Sequence, residues 1–331
     1  MQKFTESLGI DVSKNTLDAV LHIKQLHQQF DNSTKGFRLM LKWVLKNHGI
    51  THNLLFCFEH TGWYCLELSW FLESNSLCFH CASPLHLKRS LGFRRGKSDK
   101  ADSFDIARFA WINRENLSLT KAPSRILTDL QRMMSLRNQL VKHSTALKNQ
   151  KHAMKTIVVK VYLDNSIQMI QQCLHYNQKQ INRIEKQMQD LIVSIPEYAA
   201  NYKLLRSIKG FGFVVTMQII IHTHNFSRFD NWRQFSAYCG LAPYPFQSGT
   251  SINRRHKTHP ICDKQMKSIL SMSAISAIQH DPELKLYYNR RVNEGKEKMA
   301  VINIIRNKLV ARAFAVVKRQ TPFVELSKFA A

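Results

Sequence analysis

Four acids in the first third of the chain have the types and placement that phosphodiester chemistry asks for. Asp11 stands in "SLGIDVSKNTLDAV", where Leu8, Ile10 and Val12 alternate with it. A period of two marks a strand with one buried face and puts this carboxylate on the other face, close to the strand's end. Glu59 closes "LLFCFE", whose five consecutive apolar residues read as a strand buried on both faces. Asp99 and Asp102 follow in "GKSDKADSFDIARFA", three apart and so on one side of a helix that Ser98 is placed to cap. Carboxylates delivered by separate elements can hold two hard cations, Mg2+ or Mn2+, about 4 Å apart, one activating the attacking oxygen and the other stabilising the leaving one. Each acid also has a structural reading, because acids in a helix's first turn offset its dipole and a strand-end aspartate caps a turn. Spacing leaves open whether Asp105, three residues beyond Asp102, or Asp99 completes the set.

A second candidate lies far along the chain. In "QSGTSINRR" Ser248 precedes a glycine, and Arg254, Arg255, His256 and Lys257 follow. Such a serine can be a nucleophile toward a phosphodiester held by guanidinium groups, or simply a phosphate contact. Upstream, "IKGFG" places Lys209, Gly210 and Gly212 between apolar helix-forming runs, the pattern of a helix-hairpin-helix turn whose amides approach a phosphate or of an ordinary tight turn.

The elements that must position these residues read as follows. Strands at 5–12 and 18–23, a helix at 35–48 capped by Ser33 or Thr34 and stopped at Gly49, a strand at 53–59, a helix at 63–74, a strand at 77–82 and a helix at 98–112 make an α/β domain over 1–120. From 121 to 196 apolar residues recur at three-and-four spacing (Met133, Leu136, Leu140, Leu147; Ile181, Ile184, Met188, Leu191, Ile195) without glycine or proline from 124 to 195, which predicts an elongated helical hairpin that Pro196 ends. The remainder, 197–331, reads as mainly helical, with a polar loop at "YPFQSGTSINRRHKTHPI" and helices at 263–279 and 298–318.

Composition narrows the partner. The 331 residues carry 48 Lys and Arg against 23 Asp and Glu, a net charge of +25, with 44% hydrophobic residues that argue for a real core. Charge on that scale needs an anionic partner, and its local concentrations at 88–100, 254–257 and 285–298 suit a long nucleic-acid path better than a membrane surface. No apolar run is long enough to span a bilayer and residues 1–6 lack a signal pattern, so a cytoplasmic protein is expected. Seven cysteines, mostly in apolar runs, read as reduced thiols, and the C-x-x-C at Cys78 and Cys81 as strand rather than zinc site.

Taken as an ordered series, "GIDVSK", "FEHTGWY", "GKSDKAD", "IKGFG", "FSAYCGLAP", "QSGTSINRR" and "MAVINIIRNKLVARAFAVVKRQTPF" resemble the insertion-sequence one-ten family, DEDD transposases described as bridge-RNA-guided serine recombinases. The resemblance covers nearly the whole chain. It implies a RuvC-like, ribonuclease-H-fold domain whose acids match Asp11, Glu59, Asp99 and Asp102, with Lys97 and Ser98 opening the last motif and Asp105 outside it. It further implies a coiled-coil dimerisation segment and a C-terminal transposase domain whose nucleophile matches Ser248 rather than Ser251. A noncoding guide RNA that pairs with donor and target DNA, and assembly as a dimer to tetramer at the nucleoid, follow from the same resemblance. Gln247 stands where relatives often carry an acid, and "HKTHPICD" replaces their usual continuation, so no role passes to His256 or His259. The expected activity is cutting and rejoining of DNA through a phosphoserine intermediate. A metal nuclease using water and a non-catalytic nucleic-acid-binding protein are the rival expectations.

Overall fold

The computed structural model describes residues 4–91, 99–156, 163–248 and 252–324, with the backbone alone for 91, 163–164, 245–248 and 252–257. It divides into two compact units, 1–124 and 125–331.

The first unit is built on a five-stranded sheet in the order β3-β2-β1-β4-β5. Strands β1 (Glu6–Val12), β2 (Thr16–Leu21) and β3 (Leu26–Asp31) form an antiparallel meander, and β4 (Leu54–Glu59) and β5 (Phe79–Ala82) run parallel to β1. This mixed α/β arrangement is consistent with the ribonuclease-H-type domain that the resemblance implies. Alternation decides the layers. Leu8, Ile10, Val12, Leu17, Ala19 and Leu21 pack with Phe37, Met40 and Val44 of α1 (Thr34–His48) and Leu68 and Leu72 of α2 (Leu66–Ser74) on one face. On the other face, Leu55, Cys57 and Ala82 meet Leu87 of α3 (Pro84–Leu91) and Ile106, Phe109 and Ala110 of α4 (Asp99–Asn113). Full burial of aromatics such as Phe37, Phe56 and Phe58 stabilises by about 1.5–3 kcal/mol each. Ser33 caps α1, its Oγ accepting from Gly36 N at 3.2 Å, and Gly49 ends it at φ 85°.

The sequence reading has two strands before α1, whereas the structure has three. Strand β3 escapes notice because it is the sheet's edge and buries Phe30 alone, so "LHQQFD" shows no apolar alternation.

The second unit opens with two 31-residue helices, α5 (Arg125–Lys155) and α6 (Leu163–Val193), each about 46 Å long at ~1.5 Å per residue. They run antiparallel, tied by Arg137 Nε to Glu185 Oε1 at 2.9 Å and Asn177 Nδ2 to Ser144 Oγ at 3.3 Å. Leu127, Leu130, Met134, Ile184, Met188 and Ile192, at one end of the pair, join a single core with the helices that follow. Leu136, expected on the apolar stripe, is 49% exposed, and Met134 is buried instead. Pro196 starts α7 (Pro196–Arg206), where its missing N–H costs nothing. Helices α8 (Phe213–Thr223), α9 (Trp232–Tyr238), α10 (Lys264–His280), α11 (Pro282–Asn293) and α12 (Lys298–Arg319) complete the unit.

The expected polar loop is instead an antiparallel hairpin of β6 (Pro243–Ser248) and β7 (Ile252–Thr258), with a register irregularity between Tyr244 and Phe246. Two prolines and a bulge break the alternation that would have announced it. None of the seven cysteines is in a disulfide, and Cys81 lies in β5. No helix among the described residues is long and apolar enough to cross a membrane.

Candidate active site

Pairing register gathers the acids. In the β1–β2 hairpin the turn at 13–15, closed by Ser13 Oγ bonded to Thr16, pairs Val12 with Leu17 and therefore Asp11 with Asp18. In the parallel pair, Ile10 aligns with Phe58, so the next row sets Glu59 beside Asp11. All three share the face that carries Leu55 and Cys57 and is covered by α4. The row across the sheet reads Gln29, Asp18, Asp11, Glu59, Ala82.

Gly9 brings the remaining two acids to this row. A Cβ on Gly9 would lie 2.2 Å from Ala107 N and 2.4 Å from Ser103 O, so only glycine lets the α4 backbone lie directly on β1. One residue pair further back, Ser7 Oγ donates to Ala107 O at 2.8 Å. Helix and strand thus run antiparallel. Moving about 7 Å along β1 from Gly9 reaches Asp11, and moving about 6 Å along α4 from Ser103 reaches Asp99 and its neighbours at the helix start.

The electrostatics agree. Asp11 is pushed up from 3.8 to about 6, by burial first and then by Asp99, Asp102, Glu59 and Asp18. Asp105 is buried on α4. Asp18 escapes a search for spaced acids, and its signal is the tight turn that sets it opposite Asp11. It is 5% exposed, with its carboxylate turned toward β3, where His27 Nε2 lies at 2.7 Å and Gln29 Nε2 donates at 3.0 Å. Asp18 therefore has neighbours of its own, while Asp11 is left facing other acids.

An all-carboxylate oxygen set with concentrated negative charge suits a hard divalent cation. Among the described residues no three acids, histidines or cysteines stand close enough to hold a metal ion unaided. Lys97 and Ser98 lie outside the described residues.

In the second unit, Ser248 ends β6 opposite Ile252, Phe246 pairs with Arg254, and Arg255 and Lys257 lie along β7; Gly249, Thr250 and Ser251 lie outside the described residues. The glycine turn joins α7 to α8. Gly210, at φ 90°, packs on α10, where a Cβ would come 2.6 Å from Ser273 O, and its carbonyl accepts from Ser273 Oγ at 2.9 Å. Backbone conformation and packing thus both require glycine at 210. Gly212 is exposed at the N-terminus of α8, where no side chain caps the first turn, and Lys209 is exposed beside it.

Comparison with known proteins accounts for both units. Residues 8–158 match the family model for IS110-type DEDD proteins, described as transposase, and residues 202–289 match that of the transposase IS116/IS110/IS902 family. The chain is 29% identical over 324 residues to the pilin gene-inverting protein of Moraxella bovis, covering 96% of this chain and 97% of that one, and matches the Moraxella lacunata protein of the same name equally. A stretch of 118 residues is 25% identical to the insertion element IS110 uncharacterized 43.6 kDa protein of Streptomyces coelicolor, 36% of this chain and 29% of that one. The chain is therefore a transposase, an enzyme of DNA strand transfer. It belongs to the IS110 family of DEDD transposases, with Asp11, Glu59, Asp99 and Asp102 inside the first match and Ser248 inside the second.

Proposed function

We propose that this transposase cuts and rejoins donor and target DNA through a covalent phosphoserine intermediate formed by Ser248, with the DEDD carboxylates as its metal site. The observation that carries the metal half is the row Asp18, Asp11, Glu59 under the start of α4, with Asp11 pushed up to about 6 by burial and its acid neighbours. Asp11, Glu59, Asp99 and Asp102 would hold Mg2+ or Mn2+. A divalent ion bound there supplies Lewis-acid stabilisation of the phosphodiester's developing charge.

The serine half rests on the resemblance and on the placement of Ser248 at the end of a strand beside the basic β7. Its oxygen forms a bond to phosphorus as the bond from phosphorus to a deoxyribose oxygen breaks, and the serine proton passes in net to that leaving oxygen. Arg254, Arg255 and Lys257 neutralise the phosphate, and Lys209, Gly210 and Gly212 form a second contact to the backbone. A protein named as gene-inverting must rejoin the ends it makes. A phosphoserine ester keeps the bond energy that rejoining needs, whereas hydrolysis discards it.

On the same reading, a noncoding guide RNA selects donor and target by pairing, the α5–α6 segment over 121–196 dimerises, and the enzyme works as a dimer to tetramer in the cytoplasm at the nucleoid. The test mixes the chain, its cognate noncoding RNA, donor and target DNA and Mg2+, and seeks a protease-sensitive protein–DNA adduct on denaturing gels. Wild type should form it and Ser248→Ala should not, while binding DNA normally. Nicked DNA without adduct from both proteins would assign the chemistry to water.

A further inference from the structure

Helix α12 carries Asn303, Arg306 and Asn307 on one face, at i, i+3 and i+4. Both asparagines donate to the Leu241 carbonyl, at 2.9 Å and 3.4 Å, so this face is fastened to the chain two residues before the β6–β7 hairpin begins. Arg306 shares that face and is 5% exposed. Its Nη1 makes one long bond, 3.4 Å to Asn303 Oδ1, and its Nε–H has no acceptor. Among the described residues no carboxylate pairs with it, although Arg312, further along the same helix, pairs with Asp281 at 2.5 Å and Glu283 at 2.8 Å.

Guanidinium stays charged at physiological pH, and a buried charge without a counterion is costly unless something else repays it. A second cation lies by Gly240, the residue before Leu241. Lys267 of α10 packs near Gly240, and its Nζ donates to Thr258 Oγ1 at 3.2 Å, at the end of β7. Asp263, which caps α10, is already engaged by the Tyr238 hydroxyl at 2.9 Å and by Met266 N at 2.8 Å. Two cationic donors therefore stand beside the chain that leads into the hairpin, Lys267 bonded to Thr258 and Arg306 with an Nε–H that has no acceptor among the described residues.

We infer that Arg306, with Lys267, binds a backbone phosphate of the DNA at the root of the β6–β7 hairpin. The planar fork of guanidinium matches two phosphate oxygens, and the long bond to Asn303 is a weak resting place from which it transfers readily. From Pro243 to Ser248 the strand spans about 17 Å at ~3.3 Å per residue, about five phosphate spacings of ~3.4 Å along a duplex. A DNA backbone engaged at the tip has phosphates to offer at the root. The inference rests on the chain acting on DNA and is independent of how the strand is cut.

The test is equilibrium binding of the full chain to duplex DNA, and to RNA of equal length, in EDTA across a salt series, so that no cleavage chemistry enters. Arg306→Met keeps the volume of the stem and removes the charge. Expected are a slope of log affinity against log salt shallower by about 0.9 on DNA, binding about tenfold weaker at fixed salt, and a melting temperature no lower than wild type. Arg306→Lys should keep the slope. If Arg306→Met fails to fold, Lys267→Met decides, and it should shallow the slope likewise. A wild-type slope on DNA, or a loss confined to RNA, overturns the inference, as does a lowered melting temperature with binding intact.

Discussion

Removing the Asp11 carboxylate should stabilise the metal-free protein while abolishing its chemistry. Asp11 is raised from 3.8 to about 6 by burial and by four neighbouring acids. A rise from 3.8 to about 6 corresponds to about 3 kcal/mol of penalty on the ionised form. The group is only half-buried, so solvent screening reduces this to about 1–2 kcal/mol. The sign follows from proton binding. Between pH ~4 and ~6 the folded state holds more protons on Asp11 than the unfolded chain does, so this group's contribution falls as pH rises through 6. Below pH ~4 both states are protonated and the penalty vanishes. Thermal denaturation of wild type and Asp11→Asn in EDTA should therefore find the variant more stable at pH 7, by about 1–2 kcal/mol, with the gap closing toward pH 4. Adding Mg2+ should raise the melting temperature of wild type and not of the variant. A variant equal to or less stable than wild type at pH 7 in EDTA would mean that Asp11 already has a favourable partner, and the argument for a charge-frustrated cation site would collapse.

Gly9→Ala should destabilise the first unit by about 1–3 kcal/mol, because its Cβ would meet backbone atoms of α4 that cannot swing aside, and it should weaken the Mg2+-dependent thermal shift by moving Asp99 and Asp102. Urea denaturation and the Mg2+ titration read these separately, and a stability loss with an unchanged titration would show that the helix start is positioned by something else. Gly210→Ala should cost at least about 1 kcal/mol through its φ of 90° and its clash with Ser273 O, while Gly212→Ala, whose Cβ would meet only Arg206 Nη1 at 3.9 Å, should cost clearly less. Equal costs by urea denaturation would contradict the packing account of Gly210. Met188→Ala should cost about 2–5 kcal/mol, since Met188 is fully buried where the long helices join the C-terminal core. It should lower one shared transition, and two separate transitions for the helical pair and the C-terminal helices would refute the common core.

What the sequence makes legible follows from how many residues an element buries. Helix α1 announces itself through Phe37 and Val44, its serine cap and its glycine stop, and β1 and β4 through unbroken apolar patterns. Helix α11 buries Leu284 alone among its own residues, so "PELKLYYNRRVN" offers little period to read, although Asp281 and Pro282 mark its start. Strand β3 fails for the same reason, and the β6–β7 hairpin because prolines interrupt it. Periodicity reports burial, and an element held by one contact leaves little trace.

The candidate residues divide along a different line. Asp11, Glu59, Asp99 and Asp102 are visible as an ordered set, strand Asp, strand Glu and helix Asp-x-x-Asp in a strongly basic chain, although each taken singly has a structural reading. Asp18 becomes visible only when the 13–15 turn is used to count register, since its importance lies in standing opposite Asp11. Arg306 is invisible even then. On a helix that also exposes Lys298, Lys318 and Arg319, nothing local distinguishes an arginine that faces solvent from one held beside a backbone anchor without a counterion. Its character is set by Leu241, about sixty residues away, whose carbonyl draws Asn303 and Asn307 and with them the whole face of α12. Charge in the sequence predicts that the chain meets nucleic acid, but only burial separates cations that merely attract the backbone from those that have a fixed place for it.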